Sequence, residues 1–161
     1  MQINIENHDY AECIDRASLI DMIDQLSGFA QSCCPQKKPW QELTVHILGD
    51  HTIAPVHIAV NGCPGSTDVI TQRYESFPGE EQGLIGEIFV NFECACRQGF
   101  KRLVTEGWSV DKELMLYIAH GCDHLNDAED LTEEGYLEMR QRELGWIGQL
   151  RLTPLIIKPI M

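Results

Sequence analysis

Hydrophobic residues recur along the chain with two different periods, and the alternation between these periods divides the chain into helices and strands. Apolar residues at helical spacing predict helices over residues 15–32, 93–106, 109–125 and 132 to about 150. Short runs rich in branched residues predict strands over residues 2–6, 43–48, 68–72 and 84–92. A further short helix is expected after the second strand, with Pro55 in its first turn, where a missing backbone donor costs least. This order predicts an α+β fold in which a small mixed sheet of about four strands packs against helices.

The segments between these elements are rich in residues that end regular structure. Residues 75–83 form an acidic stretch with glycine and proline, which is typical of a loop. The apolar tail, residues 152–161, contains two prolines that exclude a regular helix, so it either packs back on the domain or contacts another subunit. His46 lies inside the second predicted strand, where a packed or edge residue is favoured over a metal ligand.

The predicted helix after Ser109 carries the candidate chemistry. Its apolar stripe predicts a buried helix with His120 and His124 near its end. Residues four apart share one helix face at roughly 6 Å along the axis, so both imidazoles can bind one ion. The polar run that follows favours a bend that returns Asp130 to the pair as a third ligand. The alternative is two core histidines that are satisfied by hydrogen bonds, but a pair at this spacing followed by an acidic loop favours the metal site, with this metal-binding helix at the core of the fold.

The run from His120 to Leu125, followed by Asp130, resembles the signature H-G-x-L-H-L-x-G-Y-D-H of the YbeY endoribonuclease family. Residues 66–71 and 86–90 resemble the family's P-T-[DN]-V-L-S and G-D-I-V-I strands and occur in the same order. The likeness covers about residues 40–150. It implies one YbeY-like metal-dependent hydrolase domain over residues 1–161, in which an aspartate replaces the third metal-binding histidine.

By this resemblance, the chain is expected to be a metal-dependent, single-strand-specific endoribonuclease. Such an enzyme would act in maturation of the 16S ribosomal RNA 3′ end and in ribosome quality control, with ribosomal RNA and the small ribosomal subunit as partners. His120, His124 and Asp130 would bind a divalent metal ion, with zinc as the expected one, and three protein ligands leave a position for water at a catalytic site. His120 and Asp123 are the candidate catalytic residues. Asp123 could orient a ligand imidazole or hold the metal water, and a capping or solvated role is an equal alternative.

Some residues argue for or against particular activities. Gly121 stands where the helix of zinc peptidases carries its general-base glutamate, which disfavours a peptidase. Asn61 stands where the family has an arginine suited to binding phosphate, and Arg73 could compensate. Two other functions therefore remain open. One is a non-catalytic ribosome-assembly factor stabilised by a metal ion, with Asp127 as a possible fourth ligand, and the other is a metal hydrolase of a small molecule.

Composition bounds these expectations. A chain of 161 residues has the length of one domain, and the absence of a leader or a long apolar run predicts a cytoplasmic protein without a membrane span. Its seven cysteines are expected to be reduced, and Cys94 and Cys96 lack the partners for a second metal site. The formal charge of −13 opposes binding to nucleic acid. RNA contact would then depend on the metal, on a protein partner that delivers the RNA, or on a local basic patch, for which the candidates are Lys37, Lys38, Arg97, Lys101 and Arg102.

Overall fold

Strands and helices follow one another along the chain in the order that the hydrophobic pattern predicts. The structure, a computed structural model, describes residues 1–35, 37–74, 83–151 and 154–160. Within these ranges the elements are β1 (Gln2–Glu6), α1 (Arg16–Cys33), β2 (Trp40–Leu48), α2 (Asp50–Asn61), β3 (Val69–Tyr74), β4 (Leu84–Asn91), α3 (Phe92–Glu106), α4 (Val110–Leu125) and α5 (Glu133–Gln149).

The four strands form one mixed sheet in the order β1-β2-β4-β3. β1, β2 and β4 are parallel, whereas β3 pairs antiparallel with β4. The parallel pairs require crossover connections, and α1 provides the connection from β1 to β2. The prediction of an α+β fold with a mixed four-stranded sheet is therefore confirmed.

Helix α4 lies at the centre of the molecule. Most of its residues are buried, and it packs on the sheet as well as on α1, α3 and α5. Its approach to the sheet is close at one position, because a Cβ added to Gly121 would lie 2.8 Å from Cγ2 of Ile88. A glutamate at this position would therefore collide with β4 rather than reach the histidines. No helix in the described ranges is both long and apolar enough to cross a membrane.

Several predicted boundaries differ from the structure, since β2 begins at Trp40 instead of Leu43 and β3 ends at Tyr74 instead of Gln72. Helix α2 begins at Asp50, so Pro55 is its sixth residue and lies beyond the first turn. The sequence predicted Pro55 within the first turn. The early start follows from the cap, in which the Gly49 N–H donates to Thr52 Oγ1 at 2.9 Å. Helix α3 begins at Phe92, which was predicted to end the preceding strand, because the Asn91 side chain accepts the Cys94 N–H at 3.0 Å. The loop predicted at 75–83 falls outside the described residues except for Gly83.

The C-terminal tail packs back on its own chain. The N–H of Asp15 donates to the carbonyl oxygen of Leu155 at 2.9 Å. The carboxylate of Asp111, in the first turn of α4, accepts the backbone N–H groups of Leu155 and Ile156 at 3.0 and 3.2 Å. Of the two alternatives for this segment, the structure shows the intramolecular one.

Candidate metal centre

The loop after α4 is held to the body of the protein by its first residues. Asn126 donates from its side chain to the carbonyl oxygen of Ala30 in α1 at 2.7 Å, and this bond is buried. Lys37 donates to the carbonyl oxygen of Asn126 at 2.6 Å. Asp127 takes a positive φ of 66°, a conformation that aspartate tolerates better than most residues. These contacts turn the chain back on α4 and set the path of residues 128–130.

His120, His124 and Asp130 come together where this loop meets the end of α4. The two Nε2 atoms are 3.0 Å apart, and Oδ2 of Asp130 lies 3.4 Å from Nε2 of His120 and 3.6 Å from Nε2 of His124. A tetrahedral zinc ion with bonds of about 2.0–2.1 Å holds its ligand atoms roughly 3.3–3.4 Å apart. The three atoms are therefore spaced as the ligands of one ion would be.

The second ring nitrogen of each histidine shows why a cation fits between them. Nδ1 of His120 is 2.8 Å from Oε2 of Glu143, and Nδ1 of His124 is 2.9 Å from the carbonyl oxygen of Ala128. Because both partners are acceptors, each Nδ1 carries the proton, and in neutral rings the two Nε2 lone pairs then face each other. Such an arrangement is repulsive unless a cation lies between the lone pairs. The donor set thus fits a divalent ion, as the spacing of the histidines predicted.

Glu143 is a functional candidate that the sequence analysis missed. Its side chain is completely buried in α5 and accepts from a candidate metal ligand, the role that outer carboxylates take at metal sites. Burial disfavours the charged imidazole, but the hydrogen bond and the negative charge of Glu143, with the charge of Asp130, outweigh it and raise the pKa of His120. The available signal was a glutamate on the apolar stripe of α5, between Met139 and Ile147.

Asp123 does not take the position that was predicted for it. Its carboxylate is 2% exposed and binds Arg142 of α5 through two bonds of 2.9 Å, so it neither contacts the histidine rings nor lies in solvent. Burial raises the pKa of Asp123 to about 6, although Arg142 opposes the shift. The reason is helical geometry, since adjacent residues point about 100° apart around the axis and Asp123 directly precedes His124.

Asp127 and Arg73, two further candidate residues, form an ion pair with each other. Asp127 forms ion pairs with Arg73 and with Lys37, the latter at 2.8 Å, and its side chain is 57% exposed. Arg73 also donates to the carbonyl oxygen of Leu125 at 3.3 Å. Asp127 is therefore outside the cluster of candidate ligands, and Arg73 holds the loop after α4.

Comparison with known proteins agrees with these features. Residues 4–151 match the sequence profile of a family described as Endoribonuclease YbeY. The chain belongs to the YbeY family. Curated relatives named Endoribonuclease YbeY include those of Desulforamulus reducens (30% identical, covering 71% of this chain and 76% of that protein), Streptomyces griseus (29%, 95% and 94%) and Protochlamydia amoebophila (24%, 97% and 97%).

A solved structure shows that the architecture is shared as well. The solution structure of TM1509 from Thermotoga maritima covers 92% of this chain and 91% of its own, with a TM-score of 0.53 and 18% identity. At this level of identity the likeness concerns the fold. The resemblance to YbeY proteins stated from residues 40–150 thus extends over almost the whole chain.

In this YbeY family member, the other residues considered as ligands or RNA contacts form interactions away from the candidate metal centre. Arg97 forms two bonds with Asp50, at 2.7 and 2.9 Å, and His46 stacks on Phe89 and pairs with Glu87 in the sheet. In the described ranges, Cys94 and Cys96 join no metal-type cluster, and all seven cysteines are free. Arg97, one of the basic residues predicted on α3, is therefore held in an ion pair with α2.

Proposed function

We propose that this chain is a metal-dependent endoribonuclease that cleaves single-stranded RNA. The observation that carries the proposal is the convergence of two Nε2 lone pairs and one carboxylate oxygen on a single point, in a member of the YbeY family. His120, His124 and Asp130 would hold a divalent ion, with zinc as the expected one. When bound, the ion would supply an activated water and a counter-charge for a phosphoryl oxygen.

The surrounding residues support a catalytic site over a structural one. Glu143 and the carbonyl oxygen of Ala128 hold the two rings in the tautomer that presents Nε2. Asp127, the candidate fourth ligand, is paired with Lys37 and Arg73. Three protein ligands then remain, and this number separates catalytic sites with a position for water from closed structural sites.

The cellular role follows from the family. We propose that the protein acts in the cytoplasm on ribosomal RNA of the small subunit, in maturation of the 16S 3′ end and in ribosome quality control, as a single hydrolase domain. A formal charge of −13 disfavours unguided binding to RNA. A protein partner that delivers the RNA would overcome this barrier.

The proposal is tested with His120→Ala, measured for zinc content and for cleavage of an unstructured RNA. We expect the variant to lose both, because the remaining two ligands cannot hold the ion tightly. His46→Ala, which alters a histidine in the sheet, is the matched control and should retain both. Undiminished cleavage by metal-free His120→Ala protein would refute the mechanism.

Measurements on the wild-type protein separate the two remaining alternatives. A wild-type protein that binds zinc and gains thermal stability from it, but cleaves no RNA, would be a metal-stabilised assembly factor. Hydrolysis of a small phosphodiester without cleavage of RNA would indicate a small-molecule hydrolase.

A further inference from the structure

A cavity of about 710 Å³ lies beside α4. Tyr117 forms part of its wall and lies three residues before His120, about 4.5 Å along the helix axis. The opposite walls come from α3, from α5 and from Ser66, Thr67 and Asp68, which lead into β3. A chain bound beside the metal centre would therefore have room to continue into this cavity.

Arg140 of α5 reaches both the cavity and the metal centre. It lines the cavity with a side chain that is 29% exposed, and its guanidinium carbon lies 5.4 Å from the centre of the Tyr136 ring. Its Nε is 3.9 Å from Oε1 of Glu143, whose other oxygen binds His120. These two atoms, Nε and Oε1, are buried and have no hydrogen-bond partner among the described residues.

Three other charged groups of the cavity are paired more closely, whereas the carboxylate of Asp68 accepts the backbone N–H of Val69 at 2.8 Å. Arg102 donates to Glu106 at 2.6 Å and to Glu113 at 2.8 Å, and Glu113 also accepts from Trp108 at 2.7 Å. A guanidinium bound to two carboxylates has little capacity left for a further anion. Among the described residues, Arg140 forms no ion pair closer than its 3.9 Å contact with Glu143, so its terminal nitrogens are available as cationic donors of this wall.

We propose that Arg140 binds a phosphate of the substrate strand next to the metal centre. The inference rests on the proposed function. A planar guanidinium offers two parallel donors to phosphate oxygens, and one such contact matters most in a molecule whose overall charge repels RNA. Tyr136, 42% exposed beside Arg140, provides a ring on which a neighbouring base can stack.

The test compares Arg140→Ala with the wild-type protein, both loaded with zinc, on a labelled single-stranded RNA. We expect kcat/KM, measured well below the melting temperature of either protein, to fall roughly tenfold to a hundredfold, as for loss of one charge-assisted bond, with zinc content unchanged. The slope of log KM against log salt should decrease by about 0.7, the value for one phosphate contact on a single strand. Arg140→Lys, which keeps the charge without the planar fork, should give intermediate values.

Arg151→Ala is the matched control, because it removes the same positive charge from an exposed residue just after the end of α5. It should change neither kcat/KM nor the salt slope. If Arg140→Ala retains the kcat/KM and the salt slope of an active wild-type protein, the inference is wrong while the proposed function stands. If Arg140→Ala does not fold, Arg140→Gln is measured in the same way.

A separate binding measurement covers failure of the proposed function itself. Fluorescence anisotropy with a single-stranded DNA of the same sequence reports phosphate binding without cleavage. If the wild-type protein cleaves no RNA, weaker DNA binding by Arg140→Ala than by Arg151→Ala would still support a phosphate site at Arg140. Equal binding by these two variants, or no binding by the wild-type protein, would overturn the inference.

Discussion

At the scale of single residues, the metal centre depends on Glu143 as much as on its three candidate ligands. A carboxylate that accepts from Nδ1 makes the opposite ring nitrogen more basic and fixes the ring in place. Glu143→Gln keeps the size of the side chain but removes the charge. We expect zinc affinity to decrease about 10- to 100-fold, measured by competition with a chelator.

The control for this change is Glu138→Gln, which alters an exposed glutamate on the same helix and should leave zinc affinity unchanged. Equal affinities for Glu143→Gln and the wild-type protein would show that Glu143 only fills space beside His120. This outcome would leave the ligand set intact and remove Glu143 from the candidate site.

At the scale of elements, an ion pair between Asp123 and Arg142 joins α4 to α5, and one of the two partners is buried. Asp123 is buried, whereas the side chain of Arg142 is 34% exposed. Removing one partner of such a pair leaves an uncompensated buried charge. We expect Arg142→Leu to lower the free energy of unfolding by about 3 kcal/mol, at the low end of the range for buried pairs because Arg142 is partly hydrated.

The double variant Asp123→Leu/Arg142→Leu tests the physical cause. Replacing both charges with apolar side chains removes the desolvation penalty, so its stability should return to within about 1 kcal/mol of the wild-type value or exceed it. Urea unfolding of the two single variants and the double variant gives the coupling energy. A double variant as unstable as the sum of the single variants would mean that packing around Asp123 matters more than its charge.

The same two helices show what the sequence can and cannot predict. The histidine spacing, the cap at Ser109 and the apolar stripe are local features, and they placed His120 and His124 at the end of a buried α4. The partners of α4 depend on how α5 packs against it, so neither Glu143 nor the Asp123–Arg142 pair could be derived from spacing. The start of α2 was misplaced for a related reason, because the Gly49–Thr52 cap competes with the position that suits Pro55 best.

At the scale of the whole molecule, the distribution of charge was harder to predict than the number of charges. The sequence gives a formal charge of −13 but does not say which cations are paired. In the structure Arg97, Arg102 and Lys37 are bound to carboxylates, so three of the basic residues predicted to contact RNA instead connect elements of the fold. Because of this pairing, Arg140, which the sequence analysis did not single out, becomes a candidate for cationic contact with a substrate.

One of these ion pairs joins three elements and makes stability depend on acid. Asp50, the first residue of α2, binds Arg97 of α3 at 2.7 and 2.9 Å and accepts from the Asn91 side chain at 2.8 Å. The bond with Arg97, together with the bond from Asn91, lowers the pKa of Asp50. The folded state therefore holds the ionised form more strongly than the unfolded chain does, and this contribution is present above the unfolded pKa of about 3.9.

As pH falls through the pKa of folded Asp50, the contribution should disappear. The overall response to acid also includes relief of repulsion among the excess carboxylates, so the effect is isolated by comparing the wild-type protein with Asp50→Asn at each pH. We expect the wild-type protein to be more stable by about 0.5–1 kcal/mol at pH 6, in the range of partly exposed ion pairs. The difference should shrink toward zero by about pH 2.5, and Asp24→Asn, which alters an exposed carboxylate, is the matched control. If the Asp50→Asn difference were the same at both pH values, the shape of the side chain, not its charge, would join the three elements.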